Sequence, residues 1–482
     1  MRLLLAPLNR STSLTVAIAT VLCLAASLPA LGADKPNIIF ILADDLGYGE
    51  LGCYGQQKIA TPHLDRMAAE GMRFTQFYAG STVCAPSRSV LMTGQHLGHT
   101  RVRGNAGAGN SVAQMLYDAD FTVAELFKRA GYCTGLVGKW GLGQDGDEGI
   151  PNKQGFDYFF GFLSQHHAHN HYPDFLWRNQ EKISLPNVVT PIGAAGGGYA
   201  TEKVQYAGDR FAEESLQFVE MNRSSPFFLY LALTVPHANN ERTRALKDGA
   251  EVPDYGRYAD TDWTNPHKGQ AAMITRMDEQ IGALLERLRQ LGLDENTLVI
   301  FSSDNGPHKE GGNDPEFFAA NGPLSGYKRS LTDGGIRVPF IARWPGKVPA
   351  GKTSLHVGYF GDFLATVAEL TGQTPPSDLD SISIVPALTG NDSKQRQHEF
   401  LYWEFYEGGV SQAVLLKGRW KGIRLKRSDA PIQLYDLASD IAEKSDIAAE
   451  HREIVDRIAR IMERTHVDNE HWTLARSADK RN

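Results

Sequence analysis

Cysteine is scarce: the chain carries 4 in 482 residues. Cys23 lies in an N-terminal apolar stretch, which leaves Cys53, Cys84 and Cys133. So few thiols cannot form the framework of a chain this long. Their odd number puts at least one outside any internal disulfide, though a Cys53–Cys133 bridge stays open. No Cys-x-x-Cys pair or zinc-type spacing is present. An excess of charge of one sign is also missing. The 49 Lys and Arg against 56 Asp and Glu give a net charge of −7. That gives no electrostatic reason to expect a nucleic-acid partner, although an average can hide a local basic pocket. Long apolar runs are absent beyond residues 14–31, and no internal repeat is visible. Arg2 and Arg10 precede that run, and Ala30, Leu31, Gly32 and Ala33 close it before Asp34. This is the shape of a secretory leader. Thr15, Thr20, Ser27 and Pro29 make it marginal as a membrane span. Residues 1–33 are therefore expected to be a signal peptide. The chain is expected to be exported, periplasmic or extracellular, without stable membrane association.

What is present describes a globular protein. Hydrophobic residues at 42% and charged residues at 22% exclude a disordered or collagen-like chain. The length suffices for one large core and a smaller one. Residues 37–43 form a continuous apolar, β-branched run, the pattern of a strand buried on both faces. Similar runs occupy 227–233 and 297–301, with shorter strand patterns at 72–78 and 133–137. Between them, helical periodicity is clearest over 271–291, where Met273, Ile274, Met277, Ile281, Leu284, Leu285 and Leu288 share one stripe. Helices are also expected from Pro62, from a Thr122/Glu125 capping box, and over 202–221. Such alternation predicts an α/β fold over 34–384: a large mixed, mostly parallel sheet covered by helices on both faces. After the turn-rich stretch 372–377, short segments at 400–405, 412–416, 422–425 and 432–435 predict an antiparallel sheet. With a helix over 447–462 they would make a smaller C-terminal α+β domain over 385–482. The loops 186–200 and 239–269 are long enough to rim a binding site.

Three strand ends carry polar residues: Asp44 with Asp45, His237, and Asp304 with Asn305. Carboxylates crowded at one tip repel unless a cation neutralises them. Three carboxylates and an amide oxygen suit Ca²⁺ or, less well, Mg²⁺, and do not suit Zn²⁺. Taken alone, Asp44 and Asp45 also read as a helix or turn cap. Cys84, Ala85, Pro86, Ser87 and Arg88 suggest a helix starting at the cysteine, with Arg88 one turn along on the same side. That suits an anion held beside a nucleophile at a helix N-terminus. A lone cysteine also reads as a small buried side chain.

The Cys84-to-Arg88 segment resembles the Cys-x-Pro-Ser-Arg signature of the formylglycine-dependent type I sulfatases, arylsulfatase A-like members of the alkaline-phosphatase-like superfamily. Other pieces follow in the family's order: the strand at 37–43 ending in Asp44 and Asp45, Gly138-Lys139-Trp140, Pro236-His237, Ser303 to Gly306, Gly326-Tyr327-Lys328, and Gly334 to Pro339. Leu434 to Leu437 resembles a stretch of the family's smaller domain, and 155–179 a subgroup of bacterial members. The resemblance implies Ca²⁺ held by Asp44, Asp45, Asp304, Asn305 and residue 84. It also implies a maturation enzyme that oxidises Cys84 to formylglycine. It assigns Arg88 to holding that residue, and Lys139, His237 and Lys328 to clamping sulfate. The implied reaction is hydrolysis of a sulfate monoester by a formylglycine hydrate through a covalent sulfate, with a sulfated saccharide as substrate. The runners-up are a phosphonate or phosphodiester hydrolase of the same superfamily and an inactive carbohydrate-binding relic.

One departure stands out. Many members carry a histidine after Gly-Lys-Trp, where this chain has Gly141. The nearby run from Gln165 to His171 is a candidate source of a substitute, with His166 and His167 the expected residues. Trp177 and Arg178 are expected to form one wall of a sugar cleft, since Arg meets acidic groups and aromatic faces pack on sugar rings.

Overall fold

All eight residues of the strand Asn37–Asp44 are buried. Ile38, Phe40 and Leu42 enter one core, and Ile39, Ile41 and Ala43 enter another. Successive side chains of a strand point to opposite faces, so an uninterrupted apolar run must be covered on both sides. In this computed structural model, which describes residues 35–106, 111–193 and 196–474, that strand is central to a sheet of ten. The expected leader over 1–33, with Cys23, lies outside the described residues.

Five central strands run parallel, in the order Thr297–Ser303, Asn37–Asp44, Phe227–Pro236, Cys133–Lys139 and Tyr158–Phe162. Phe340–Arg343 joins Thr297–Ser303 antiparallel and carries Met72–Phe74 and then Lys352–Ser354. At the other edge Phe175–Arg178 and Glu181–Ser184 add an antiparallel hairpin. The helices Cys84–Thr93, Val123–Arg129 and Asp362–Thr371 pack on one face through Val90, Phe127 and Val367. Pro62–Glu70, Ala207–Met221 and Asn265–Gln290 cover the other through Leu64, Phe211 and Met277. The architecture is the mixed, mostly parallel α/β sheet expected.

Phe400–Phe405, Ser411–Leu416, Trp420–Arg424 and Ile432–Asp436 form the smaller antiparallel sheet, in sequence order. One face meets the helix Arg452–Thr465 through Ile458, Ile461 and Met462. The opposite face presents Leu401, Trp403 and Leu415 to a core shared with the large sheet. There Trp403 Nε1 donates to the Ala79 carbonyl at 2.9 Å.

Boundaries moved where polar contacts outrank periodicity. The long helix starts at Asn265 because Thr264 accepts the His267 N–H and Pro266 sits in the first turn, ahead of the apolar stripe. The helix expected from 202 starts at Ala207, because residues 198–202 pair as a strand and Asn187 Oδ1 holds the Val204 and Gln205 amides. The final helix runs over Arg452–Thr465. Before it, the Ile447 amide still donates to the Leu434 carbonyl. The strand expected over 72–78 breaks at Thr75, whose carbonyl accepts Arg337 Nε at 2.7 Å. Cys53 and Cys133 are both free thiols, so the open disulfide does not form.

Candidate active site

Every central parallel strand delivers a polar group at its carboxyl end, where ligand sites of such sheets lie. Asn37–Asp44 ends in Asp44 and Asp45, Thr297–Ser303 in Asp304 and Asn305, Cys133–Lys139 in Lys139 itself, and Phe227–Pro236 in His237. Tyr158–Phe162 leads into Gln165 and His166. Asp45 takes a left-handed conformation, φ 66°. An aspartate tolerates this better than most residues, and such strain persists only when neighbours hold it. Here the Asp45 amide donates to Asp304 Oδ1 at 3.1 Å, and Asn305 Nδ2 donates to Asp45 Oδ1 at 2.7 Å.

The helix Cys84–Thr93 is buried along its whole length, with the cysteine as its first residue. The ligating atoms of Cys84, Asp44 and Asp304 lie within 4.8 Å of one another, as do those of Asp44, Asp45 and His237. Arg88 donates through Nε and Nη2 to Asp304 Oδ2 at 3.1 and 2.8 Å, and through Nη1 to the Lys139 carbonyl at 2.7 Å. Its Nη2 also lies 3.7 Å from Asp44. Lys139 Nζ lies 2.6 Å from Asp44 Oδ2, and Lys328 Nζ 2.7 Å from Asp45 Oδ2. Three carboxylates thus face three cations without solvent.

Burial and the carboxylates of Asp44 and Asp45 push Asp304 up to about 7 in spite of Arg88. Asp44 is held far below the carboxylate range, because Lys139 foremost outweighs the cost of burial. Burial raises the Cys84 thiol, with Lys139 opposing. His237 is driven well below its usual value by burial and by Lys328. Its hydrogen bonds assign the tautomer: Nδ1–H donates to the Ala238 carbonyl at 2.7 Å, and Nε2 accepts from Lys328 Nζ at 3.1 Å. Among the described residues, Asp44 Oδ1 and Asn305 Oδ1 are buried without any hydrogen-bond partner. Unpaired buried oxygens of this kind fit a hard cation bound by oxygen ligands.

A cavity of about 260 Å³ opens over Cys84. His166, His169, His237 and Lys328 line it, together with Asn105, Asn240, Arg244, Arg329 and Glu407. The Asn105 carboxamide caps the helix, accepting the Ala85 amide at 3.2 Å.

Residues 36–373 match the family model described as sulfatase, and residues 326–468 match that of the N-sulphoglucosamine sulphohydrolase C-terminal region. The chain belongs to the sulfatase family. It is a sulfuric-ester hydrolase. Among its relatives is an N-acetylgalactosamine-6-O-sulfatase of Bacteroides thetaiotaomicron, 33% identical over 89% of this chain and 93% of the relative. The N-acetylgalactosamine-6-sulfatase of Canis lupus familiaris is 34% identical over 82% of this chain and 73% of its own. Among solved structures, Ps i-CgsB in complex with a neocarrahexaose superposes with a TM-score of 0.76 at 27% identity, covering 92% of this chain and 96% of that one.

The structure gathers most of the residues singled out in this sulfatase's sequence and sets three aside. Trp177 is buried in the core beside Phe175, and faces Lys182 rather than the cavity. Arg178 pairs with Glu214 at 2.9 Å on the edge hairpin. Both belong to the strand Phe175–Arg178, where they point to opposite faces of the sheet, and neither lines the cavity. His167 is packed between the rings of Phe162 and Phe175, and only His166 of that pair reaches the cavity wall. The wall residues that sequence reasoning missed are Asn105, Ala106, Gln114, Asn240, Arg244, Arg329 and Glu407, and Gln165 was named only as the start of the histidine run. Asn240 and Arg244 do lie within the long loop 239–269 suspected as a rim. Neutral amides carry no motif of their own.

Proposed function

We propose that this sulfatase hydrolyses sulfate monoesters of a sulfated carbohydrate, with Ca²⁺ bound and with residue 84 acting as a formylglycine hydrate through a covalent sulfate. The observation that carries the reading is the meeting of Cys84 with Asp44 and Asp304 within 4.8 Å, beneath a cavity that also holds Lys328 and His237. Asp44, Asp45, Asp304, Asn305 and residue 84 would hold the ion. A set built from protein oxygens favours Ca²⁺ over Mg²⁺, which keeps its waters. When bound, the ion supplies positive charge that polarises a sulfuryl oxygen. The hydrate supplies a hydroxyl nucleophile and a second hydroxyl whose deprotonation lets sulfate leave.

The chain's own residues do the rest. Arg88 ties the start of the catalytic helix to two strand tips, which fixes residue 84 against the carboxylates. Lys139 and Lys328 are compact point charges suited to sulfuryl oxygens, where charge must be stabilised. Lys328, hydrogen-bonded to His237 Nε2 at 3.1 Å, gives a proton to the departing alcohol oxygen, and His237 orients it. Arg244 with Asn105 and Asn240, beside Arg329 paired to Glu407, gives the mouth a mixture of charged groups and amides that suits a polyhydroxylated anion. A relative named as an N-acetylgalactosamine-6-O-sulfatase and a similar structure bound to a neocarrahexaose support the carbohydrate class. Bacterial relatives together with the leader-like residues 1–33 support export.

The test is a panel of sulfated oligosaccharides, aryl sulfates and phosphonate monoesters, assayed beside the mass of the peptide bearing residue 84. Sulfate release with that thiol converted to an aldehyde is the expected result. Faster turnover of phosphonates would move the protein to the neighbouring class. An intact thiol and no turnover, in protein made by its native host, would leave a binding relic.

A further inference from the structure

Gly141 has φ +81°, a left-handed conformation that penalises a side chain. A Cβ built there would stand 2.4 Å from Gln165 Nε2 and 2.8 Å from Gln165 Cδ. The Gln165 carboxamide therefore occupies the volume that a side chain at 141 would claim. The Gly141 backbone is held on both sides. The Gly141 amide donates to the Leu163 carbonyl at 3.1 Å, and the Gly141 carbonyl accepts Gln114 Nε2 at 2.9 Å. Gln165 is only 7% exposed, and it shares the cavity wall with Cys84, His237 and Lys328. Yet neither its Nε2 nor its Oε1 has a hydrogen-bond partner. A buried amide unpaired at both ends is costly, and a methionine would fill the same space without that cost. Other buried carboxamides with an unpaired atom, such as Gln154 and Asn170, keep a partner on the other atom. This one has no partner among the described residues, and it lines the cavity over Cys84.

We infer that Gln165 is a hydrogen-bonding residue of the reaction centre, reaching from the end of a different strand into the place left vacant at Gly141. The inference rests on the formylglycine reading of residue 84. The two ends of a carboxamide differ, and the reaction centre offers a match to each. Nε2 donates to a sulfuryl oxygen, which carries only acceptors. Oε1 accepts from a hydroxyl of the matured residue 84. An imidazole at 141 could also take a proton, whereas a carboxamide cannot. Gln165 thus orients and does not act as a base.

Three variants of the matured protein test this. Gln165→Met keeps the volume and removes both hydrogen bonds. Gln165→Glu keeps the acceptor and adds a repelling charge. Gly141→His combined with Gln165→Gly returns a side chain to 141 after clearing its space. The measurements are kcat and KM on a turned-over sulfate ester, affinity for inorganic sulfate by calorimetry, Tm, and the mass of the residue-84 peptide as a check on maturation. For Gln165→Met the expectation is an unchanged or raised Tm, kcat lowered about tenfold to a hundredfold, and sulfate bound about tenfold more weakly. Gln165→Glu should weaken sulfate further than Gln165→Met. The double variant should bind sulfate more tightly than Gly141→His alone, which retains the clash. A Gln165→Met protein with wild-type kcat and sulfate affinity overturns the inference. So does one whose losses follow a lowered Tm, since that marks a structural glutamine. Failure of the proposed function would appear in the wild type, as absence of ester turnover, and sulfate affinity with Tm would still decide the place of Gln165.

Discussion

Lys139 and Lys421 are both fully buried ammonium groups, 2.6 Å from Asp44 and 2.8 Å from Asp333. Each sits in a cluster with a second acid and an arginine, yet the clusters are built for different ends. Around Lys421, both oxygens of Asp333 are used: Oδ1 by the lysine, Oδ2 by Tyr78 at 2.9 Å and by Arg337 at 3.3 Å. Glu443 accepts the Asp333 amide through one oxygen, and its other oxygen has no hydrogen-bond partner among the described residues but lies 3.5 Å from Lys421, away from any nucleophile. This cluster pins the small sheet to the large one. Around Lys139, Asp44 Oδ1 and Asn305 Oδ1 are left bare, a thiol stands among the carboxylates, and a cavity opens above. Buried charge alone therefore does not mark a site. Unspent ligand capacity facing a cavity and a nucleophile does.

The widest separation between the two clusters should come from paired substitutions. Cys84→Ala removes the nucleophile and is expected to lower kcat by about four to six orders of magnitude, with Tm little changed. Lys421→Met leaves Asp333 and Glu443 buried without their lysine. It is expected to cost about 3–5 kcal/mol of stability while kcat of the folded fraction stays within about twofold. Kinetics beside denaturant titration of both variants would check this. Equal losses of activity and stability in each would erase the distinction.

Metal sharpens it further. Ca²⁺ added to chelator-treated protein should raise stability by about 2.7 kcal/mol at a hundredfold excess over its dissociation constant. Asp44→Ala should abolish that increment, and Asp333→Asn should leave it in place on a lowered baseline. Differential scanning fluorimetry with and without chelator reads both. A calcium increment that survived Asp44→Ala would move the ion elsewhere.

Much of this was legible before any coordinates. The continuous apolar run at 37–43 announces a two-faced strand, because only burial on both sides tolerates it. Residues at the ends of such strands must lie along one sheet edge, so Asp44, His237 and Asp304 could be placed together from pattern and topology rules, whereas Lys139 came only with the family resemblance. What sequence could not supply was direction within irregular chain. Gln165 and His166 both reach the cavity while His167 does not, because the turn before the short helical stretch His167–His169 rotates successive side chains. No periodicity encodes that. The Gly141–Gln165 pair was visible only as an anomaly, a missing histidine, since the compensating residue is 24 positions away and chemically unassertive. Trp177 and Arg178 were misread because a strand at the sheet edge also carries aromatic and basic residues.

That misreading yields the smallest expected effect. If the edge hairpin belongs to the scaffold, as the Lys421 cluster does, its residues should leave substrate affinity untouched. Arg178→Ala removes an ion pair with Glu214 whose arginine is 41% exposed. A pair of that kind contributes about 1 kcal/mol or less. KM for a sulfated oligosaccharide should stay within about twofold. Trp177→Phe should behave alike, because the ring packs against Phe175 and does not meet the cavity. Arg244→Ala supplies the contrast: its side chain is 69% exposed at the mouth, so it should raise KM several-fold without moving Tm. Steady-state kinetics of the three variants on one substrate reads the difference. A larger KM effect for Arg178→Ala than for Arg244→Ala would mean that long saccharides reach past the mouth to the sheet edge, and the boundary between scaffold and site would have to be redrawn there.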